Sequence, residues 1–111
     1  MAWRTARLLT EMDIKLYRVL VPTAKGDGHF STRHHREWDR RVAKISGGVS
    51  ILTPISGKWK SPSGELIQER IIPVDIACTK EQLLAILKMT KAFYNQQAVM
   101  AYCISNEVIL L

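Results

Sequence analysis

Residues 66–82 read LIQERIIPVDIACTKEQ, and they contain a change from strand to helix on which the fold prediction rests. The first part, Leu66–Cys78, is rich in isoleucine and valine, as residues of a buried strand are. Thr79 and Gln82 then have the spacing of a capping box, in which each side chain bonds to the backbone of the other residue. The segment therefore predicts a long strand that ends at Cys78 and a helix over residues 80–96.

The residues before this segment predict a second strand that pairs with it. Over residues 49–60, apolar and polar side chains alternate, as they do in a strand with one buried face. Pro54 and Gly57 interrupt the pattern, which indicates an edge position or a bulge because proline cannot donate to a central ladder. Residues 61–64 have the chemistry of a turn, so residues 49–78 are predicted to form a long hairpin.

A first helix and two further strands complete the pattern. Ser31 or Thr32 can cap a helix that runs to Ser46, and Gly47 can end it in a left-handed conformation. The apolar stripe of this helix consists of His35, Trp38, Val42 and Ile45. We predict strands over residues 13–21 and 98–104, and a glycine-containing loop over residues 23–30.

The element order is therefore β-α-β-β-α-β, which is the ferredoxin-like α+β plan. In this plan two helices cover one face of an antiparallel sheet, and right-handed crossovers give the strand order 4-1-3-2. We interpret residues 13–111 as one domain and residues 1–12 as an N-terminal arm or extension. With 111 residues, the chain is long enough for one core, and no apolar run approaches the about 18 residues of a membrane span.

The face of the sheet without helices is predicted to be apolar as well. In the long strand, one alternating set is Ile72, Val74, Ile76 and Cys78, and the other is Ile67, Ile71, Pro73 and Ala77. An exposed apolar face of this extent usually marks an interface. We therefore expect a homodimer that covers the helix-free face; alternatively, the N-terminal arm or the last residues cover this face in a monomer.

Titratable side chains around the start of the first helix are the candidate functional residues. We predict that four of them form the rim of a small-molecule pocket at the sheet–helix or dimer seam: Lys25, His29, His34 and His35. An alternative is a cofactor-free enzyme on a dimeric α+β barrel scaffold. In that case His34 or His35 would transfer protons, and Asp39, one turn after His35, or Glu37 would orient the imidazole. The spacings match no metal-binding or cofactor motif, so neither is predicted.

The same helix carries a cluster of positive charge. The formal net charge is +6, and residues 1–44 hold ten Lys or Arg against five Asp or Glu. The arginines of the cluster are Arg33, Arg36, Arg40 and Arg41. They form either the solvated face of the helix or a surface for phosphates, as in a nucleic-acid or protein adaptor. The aromatic motif of ferredoxin-like RNA-binding modules is missing, which argues against nucleic acid.

The two cysteines bear on the cellular compartment. Cys78 and Cys103 lie in apolar strand segments, where a thiol usually behaves as a small buried hydrophobe. The first residues lack the continuous apolar segment of a secretory signal. We therefore expect two reduced core cysteines in a cytoplasmic protein.

The centre of the chain resembles a group of small uncharacterised bacterial proteins. The similar features are Gly47-Gly48 before a strand, Gly57-Lys58-Trp59, Gly64-Glu65, and the helix segment His35-Arg36-Glu37-Trp38. The resemblance implies a ferredoxin-like α+β fold and no established activity, so it transfers no catalytic residues. In size and charge the chain is also similar to the products of integron gene cassettes.

Overall fold

The structure is a computed structural model, and it describes residues 13–26, 28–109 and 111. The predicted arm, residues 1–12, lies outside the described residues. In chain order the elements are β1 (Lys15–Pro22), β2 (Ala24–Lys25), β3 (Gly28–His29), α1 (Thr32–Ser46), β4 (Ser50–Ile51), β5 (Ile55–Lys60), β6 (Leu66–Cys78), α2 (Lys80–Phe93) and β7 (Ala101–Ser105). Within the described part, no helix has the length and apolar character needed to cross a bilayer.

The main sheet is antiparallel and is organised around β6. This strand pairs with β1 along one edge and with β4 and β5 along the other, and β1 pairs with β7. The order β4-β6-β1-β7 is the predicted 4-1-3-2 arrangement, so the ferredoxin-like α+β fold is confirmed. Strands β2 and β3 form a separate small hairpin, where the sequence predicted only a loop.

Both helices begin at the residues that the sequence indicates. The Ser31 hydroxyl accepts from the His34 amide at 3.1 Å, and Gly47 ends α1 with φ 95°. Thr79 and Gln82 form both bonds of the capping box, at 3.1 and 2.9 Å. The prediction that α2 extends to residue 96 was wrong: α2 ends at Phe93, and the left-handed conformation of Asn95 turns the chain away.

The core lies between the helices and one face of the sheet. Alternate residues of β1 and β6 point into it, among them Val19 and Val74, which are directly opposite each other and fully buried. From α1, the Trp38 indole N–H donates to the Thr90 hydroxyl at 2.8 Å, and that hydroxyl donates to the Ile86 carbonyl at 2.6 Å. This buried chain of hydrogen bonds joins the two helices.

Two local predictions were wrong. Residues 49–60 are not one strand: the Leu52 amide still donates to the Pro73 carbonyl, but pairing then stops at Pro54, which has no N–H, and resumes in β5. Cys78 is buried as expected, whereas Cys103 is exposed because it lies on the edge strand β7. Both thiols are free.

Candidate ligand-binding site

The helix-free face of the sheet carries the candidate site. Residues directly opposite each other in antiparallel strands share a face, and neighbouring residues along a strand alternate between faces. Because Val19 and Val74 face the helices, their neighbours Leu20 and Pro73 lie on the other face. The same alternation along β6 places Ile67, Glu69 and Ile71 on the helix-free face, and Trp59 joins them because it is opposite Ile67.

An open cleft of about 470 Å³ lies on this face, within the range of about 300–1,000 Å³ that small-molecule sites occupy. Every residue of β1, β5 and β6 that lines the cleft belongs to the helix-free face. The lining residues are Leu20, Pro22, Lys25, Trp59, Ile67, Glu69, Ile71 and residues 95–100. Leu20 and Ile71 form an apolar floor, and both are almost fully buried.

Trp59 forms one wall of the cleft and is held in a defined position. Its indole ring lies across Gly57, where a Cβ atom would come within 2.5 Å of the ring atom Cη2. Its Nε1–H donates to Oε1 of Glu69 at 2.7 Å, and Glu69 is the register partner of Gly57. The glycine at position 57 therefore provides the space for the ring, and Glu69 fixes its orientation.

The opposite wall is the segment between α2 and β7. The Lys25 ammonium donates to the Asn95 carbonyl at 2.8 Å, which joins β2 to this segment. The Gln96 side-chain amide donates to the Tyr94 carbonyl at 2.9 Å. Leu20 donates its amide to the Met100 carbonyl, so the segment returns to the sheet beside the floor of the cleft.

Of the four residues predicted to form a pocket rim, Lys25 lines the cleft, and the three histidines are not among its lining residues. His29 is exposed on β3. The His34 ring stacks between Phe30 and Phe93, with ring centroids 5.1 and 3.9 Å away, and its Nε2 donates to the Phe93 carbonyl. A role of these histidines in ligand binding stays a prediction.

His35 and Asp39, the predicted acid–base pair, lie where α1 meets α2. His35 Nδ1 shares a 2.7 Å hydrogen bond with the hydroxyl of Tyr94, which is fully buried. Burial lowers the pKa of His35 and raises the pKa of Asp39 and of the Tyr94 hydroxyl. All three shifts favour the uncharged form. Proton transfer by this group stays a prediction.

The predicted basic cluster is partly neutralised by a single carboxylate. Arg40 donates two hydrogen bonds to Glu37, at 2.8 and 2.6 Å, and Arg41 donates one at 3.3 Å. These bonds, mainly that of Arg40, lower the pKa of Glu37 to about 2. Arg33 and Arg36 are exposed, and neither forms an ion pair with another described residue. An adaptor role of the cluster stays a prediction.

Sequence reasoning missed Glu69 as a site residue and did not assign Trp59 to a pocket. The spacing of Gly57 and Trp59 could have indicated this wall of the cleft. It places a large ring two residues from a glycine on the same face of a strand, where the missing side chain leaves room for the ring. Among the described residues, no three His, Cys, Asp or Glu side chains lie close enough together to hold a metal ion.

Comparisons with known proteins give structural similarity alone. No family model matches the chain, and no curated protein matches its sequence. CutA from Archaeoglobus fulgidus, described as a periplasmic divalent cation tolerance protein, is 14% identical with a TM-score of 0.64, and the match covers 87% of each chain. CutA from Xylella fastidiosa is 14% identical with a TM-score of 0.65, and the match covers 88% of each chain.

A phage SAM lyase in complex with S-methyl-5′-thioadenosine has the same fold. It is 16% identical with a TM-score of 0.65, and the match covers 86% of this chain and 84% of the lyase. At these identities the comparisons establish the fold of a small α+β protein. The cytoplasmic location and the integron-cassette origin stay predictions.

Proposed function

We propose that this protein binds a small molecule in the cleft between Trp59 and residues 95–100. The observation that carries the proposal is the fixed indole ring, which is held over Gly57 by the Glu69 carboxylate and borders an apolar floor. An apolar cleft with a few fixed polar groups is the usual form of a small-molecule site. A half-buried aromatic ring at its wall offers a surface on which a planar ligand can stack.

The phage SAM lyase supplies the first probe, because it was solved with S-methyl-5′-thioadenosine. We would measure the thermal stability of the protein with this compound and with a library of soluble metabolites, each at about 1 mM. At about 1 mM, a ligand with a Kd of about 0.1 mM stabilises the folded state by about 1.4 kcal/mol, and one with a Kd of about 1 mM by only about 0.4 kcal/mol, so the screen detects ligands with submillimolar affinity.

Two variants make this screen specific to the cleft. Met100 lines the cleft and is 54% exposed, so Met100→Trp fills the cleft without entering the core. Ile104 lies in β7, four residues after Met100, is 41% exposed and does not line the cleft, so Ile104→Trp is the control. We expect Met100→Trp to abolish the stabilisation and Ile104→Trp to retain it. Equal responses of the two variants, or no stabilising compound at all, would contradict the proposal.

We also propose that the helix-free face mediates self-association as a homodimer. This face carries large apolar side chains that are about half exposed, among them Ile67 and Tyr102. A contact between two such faces would remove apolar area from water, and because the cleft lies on the same face, it would lie at the seam of the dimer. The Arg18–Asp75 ion pair on this face, at 2.7 Å, satisfies its two charges within one protomer.

Sedimentation equilibrium tests the self-association. We expect Tyr102→Glu to shift the protein to monomer, because two buried carboxylates would lose their hydration. Leu84→Glu is the control, since Leu84 is 55% exposed on α2, away from the sheet. A wild-type protein that stays monomeric would contradict the homodimer. It would favour the alternative in which the N-terminal arm or the last residues cover the face, and removal of the covering segment would then induce association.

A further inference from the structure

The two walls of the cleft carry opposite charges. On β6, Oε1 of Glu69 accepts the Trp59 hydrogen bond, and no described residue bonds to the second carboxylate oxygen. On the other side, the Lys25 ammonium uses one donor for the Asn95 carbonyl and retains two. Neither side chain forms an ion pair with another of the described residues.

The surface between these two charges is apolar. Leu20 and Ile71 form the floor, and the apolar side chains of Val99 and Met100 also line the cleft. A ligand with one charge would meet a partner on one wall and desolvate the unpartnered charge on the other, which costs binding free energy. A ligand with a positive and a negative group at its two ends meets a partner on both walls.

We infer that the cleft takes a zwitterion whose two charges lie at the two ends of an apolar chain, that is, an ω-amino carboxylate. This inference rests on the proposed function. The ammonium group of the ligand pairs with the carboxylate oxygen of Glu69 that Trp59 leaves free. The carboxylate pairs with Lys25, and the apolar chain between the two charges covers Leu20 and Ile71.

Calorimetric titration with three related compounds tests this assignment. 6-Aminohexanoate carries a charge at each end of its apolar chain, hexylamine carries only the ammonium, and hexanoate carries only the carboxylate. We expect 6-aminohexanoate to bind at least tenfold more tightly than either analogue, about 1.4 kcal/mol. In Glu69→Gln, 6-aminohexanoate should bind no better than hexanoate. In Lys25→Met, it should bind no better than hexylamine.

The variants keep the shape of the site. The amide oxygen of Gln can still accept from the Trp59 indole, and Met has nearly the length of Lys. Glu81→Gln and Lys88→Met, both exposed on α2, are the matched controls and should leave all three affinities unchanged. Equal affinities of the three compounds for the wild type would overturn the inference.

A further outcome separates the inference from the proposed function. If a neutral library compound binds in the cleft while all three six-carbon compounds fail, the ligand class is wrong and the cleft remains a ligand site. If no compound of either set binds, both proposals fail.

Discussion

Substitution of Gly57 by alanine should displace the Trp59 ring and destabilise the protein. The new Cβ would lie 2.5 Å from Cη2 and 2.7 Å from Cζ2 of the indole, whereas carbon atoms in contact lie about 3.5–4.0 Å apart. The ring must therefore move by about 1 Å. A movement of this size stretches the 2.7 Å bond from Nε1 to Glu69 beyond hydrogen-bond distance.

The magnitude follows from two opposing effects. A hydrogen bond to a charged group contributes about 1.5–3 kcal/mol, and the half-exposed position of Glu69 favours the lower end of that range. Alanine loses less backbone entropy on folding than glycine, and in a strand this difference stabilises the protein by about 0.5 kcal/mol. It therefore offsets part of the loss from the broken hydrogen bond. We expect a net loss of about 1 kcal/mol, which lowers the Tm of a domain of this size by about 4–8 °C.

The assay is urea unfolding combined with the indole N–H resonance of Trp59, identified by its loss in Trp59→Phe. Gly28→Ala is the control: its Cβ would meet its nearest neighbour at 3.7 Å, an ordinary contact, so we expect less than about 0.5 kcal/mol. In a Trp59→Ala background, Gly57→Ala should no longer destabilise, because the obstructing ring is gone. Wild-type stability with an unshifted Trp59 resonance in Gly57→Ala would refute this reasoning.

Three further predictions concern the helices. Thr90→Val removes the acceptor of the buried Trp38 indole and should cost about 1–3 kcal/mol; an unchanged urea midpoint would contradict the role of this bond. Burial lowers the pKa of His35 below 6.5 in the folded state, so the unfolded chain takes up the proton first as the pH falls. Stability should therefore decrease from pH 7 towards pH 5. The urea midpoint of His35→Gln should change less over this pH range than the midpoint of the wild type. The pKa of Glu37 is about 2 in the fold and 4.5 otherwise, so its stabilisation is present above pH 4.5 and is lost between pH 4.5 and 2. Glu37→Gln should not show this loss of stability. If the acid-unfolding curves of the wild type and Glu37→Gln are parallel, the predicted contribution of Glu37 is wrong.

Most of the fold could be predicted because its signals are local. The capping box at Thr79 and Gln82 and the C-terminal glycine of α1 each act within a few residues, and both appear in the structure. The boundaries that failed depend on tertiary pairing. The pairing of residues 49–60 with β6 stops at Pro54, which has no N–H to donate, and Cys103 is exposed on β7, which is an edge strand of the sheet that the described residues form.

The site was harder to predict because its parts meet only through the register of the sheet. Glu69 reaches Trp59 because it lies opposite Gly57 in the β5–β6 hairpin, and Lys25 comes near through its contact with Asn95. The three histidines attracted attention because their side chains can titrate near neutral pH. Two of them, His34 and His35, bond to Phe93 and Tyr94 at the end of α2.

The most direct test of the account is to map where a small molecule binds. Backbone and indole N–H resonances would be followed by NMR during titration with S-methyl-5′-thioadenosine, 6-aminohexanoate and any compound that stabilises the protein. We expect saturable shifts at Trp59, Glu69 and residues 95–100. Shifts confined to His34, His35 and the arginines of α1 would contradict it, and would place the function on the helical side of the sheet.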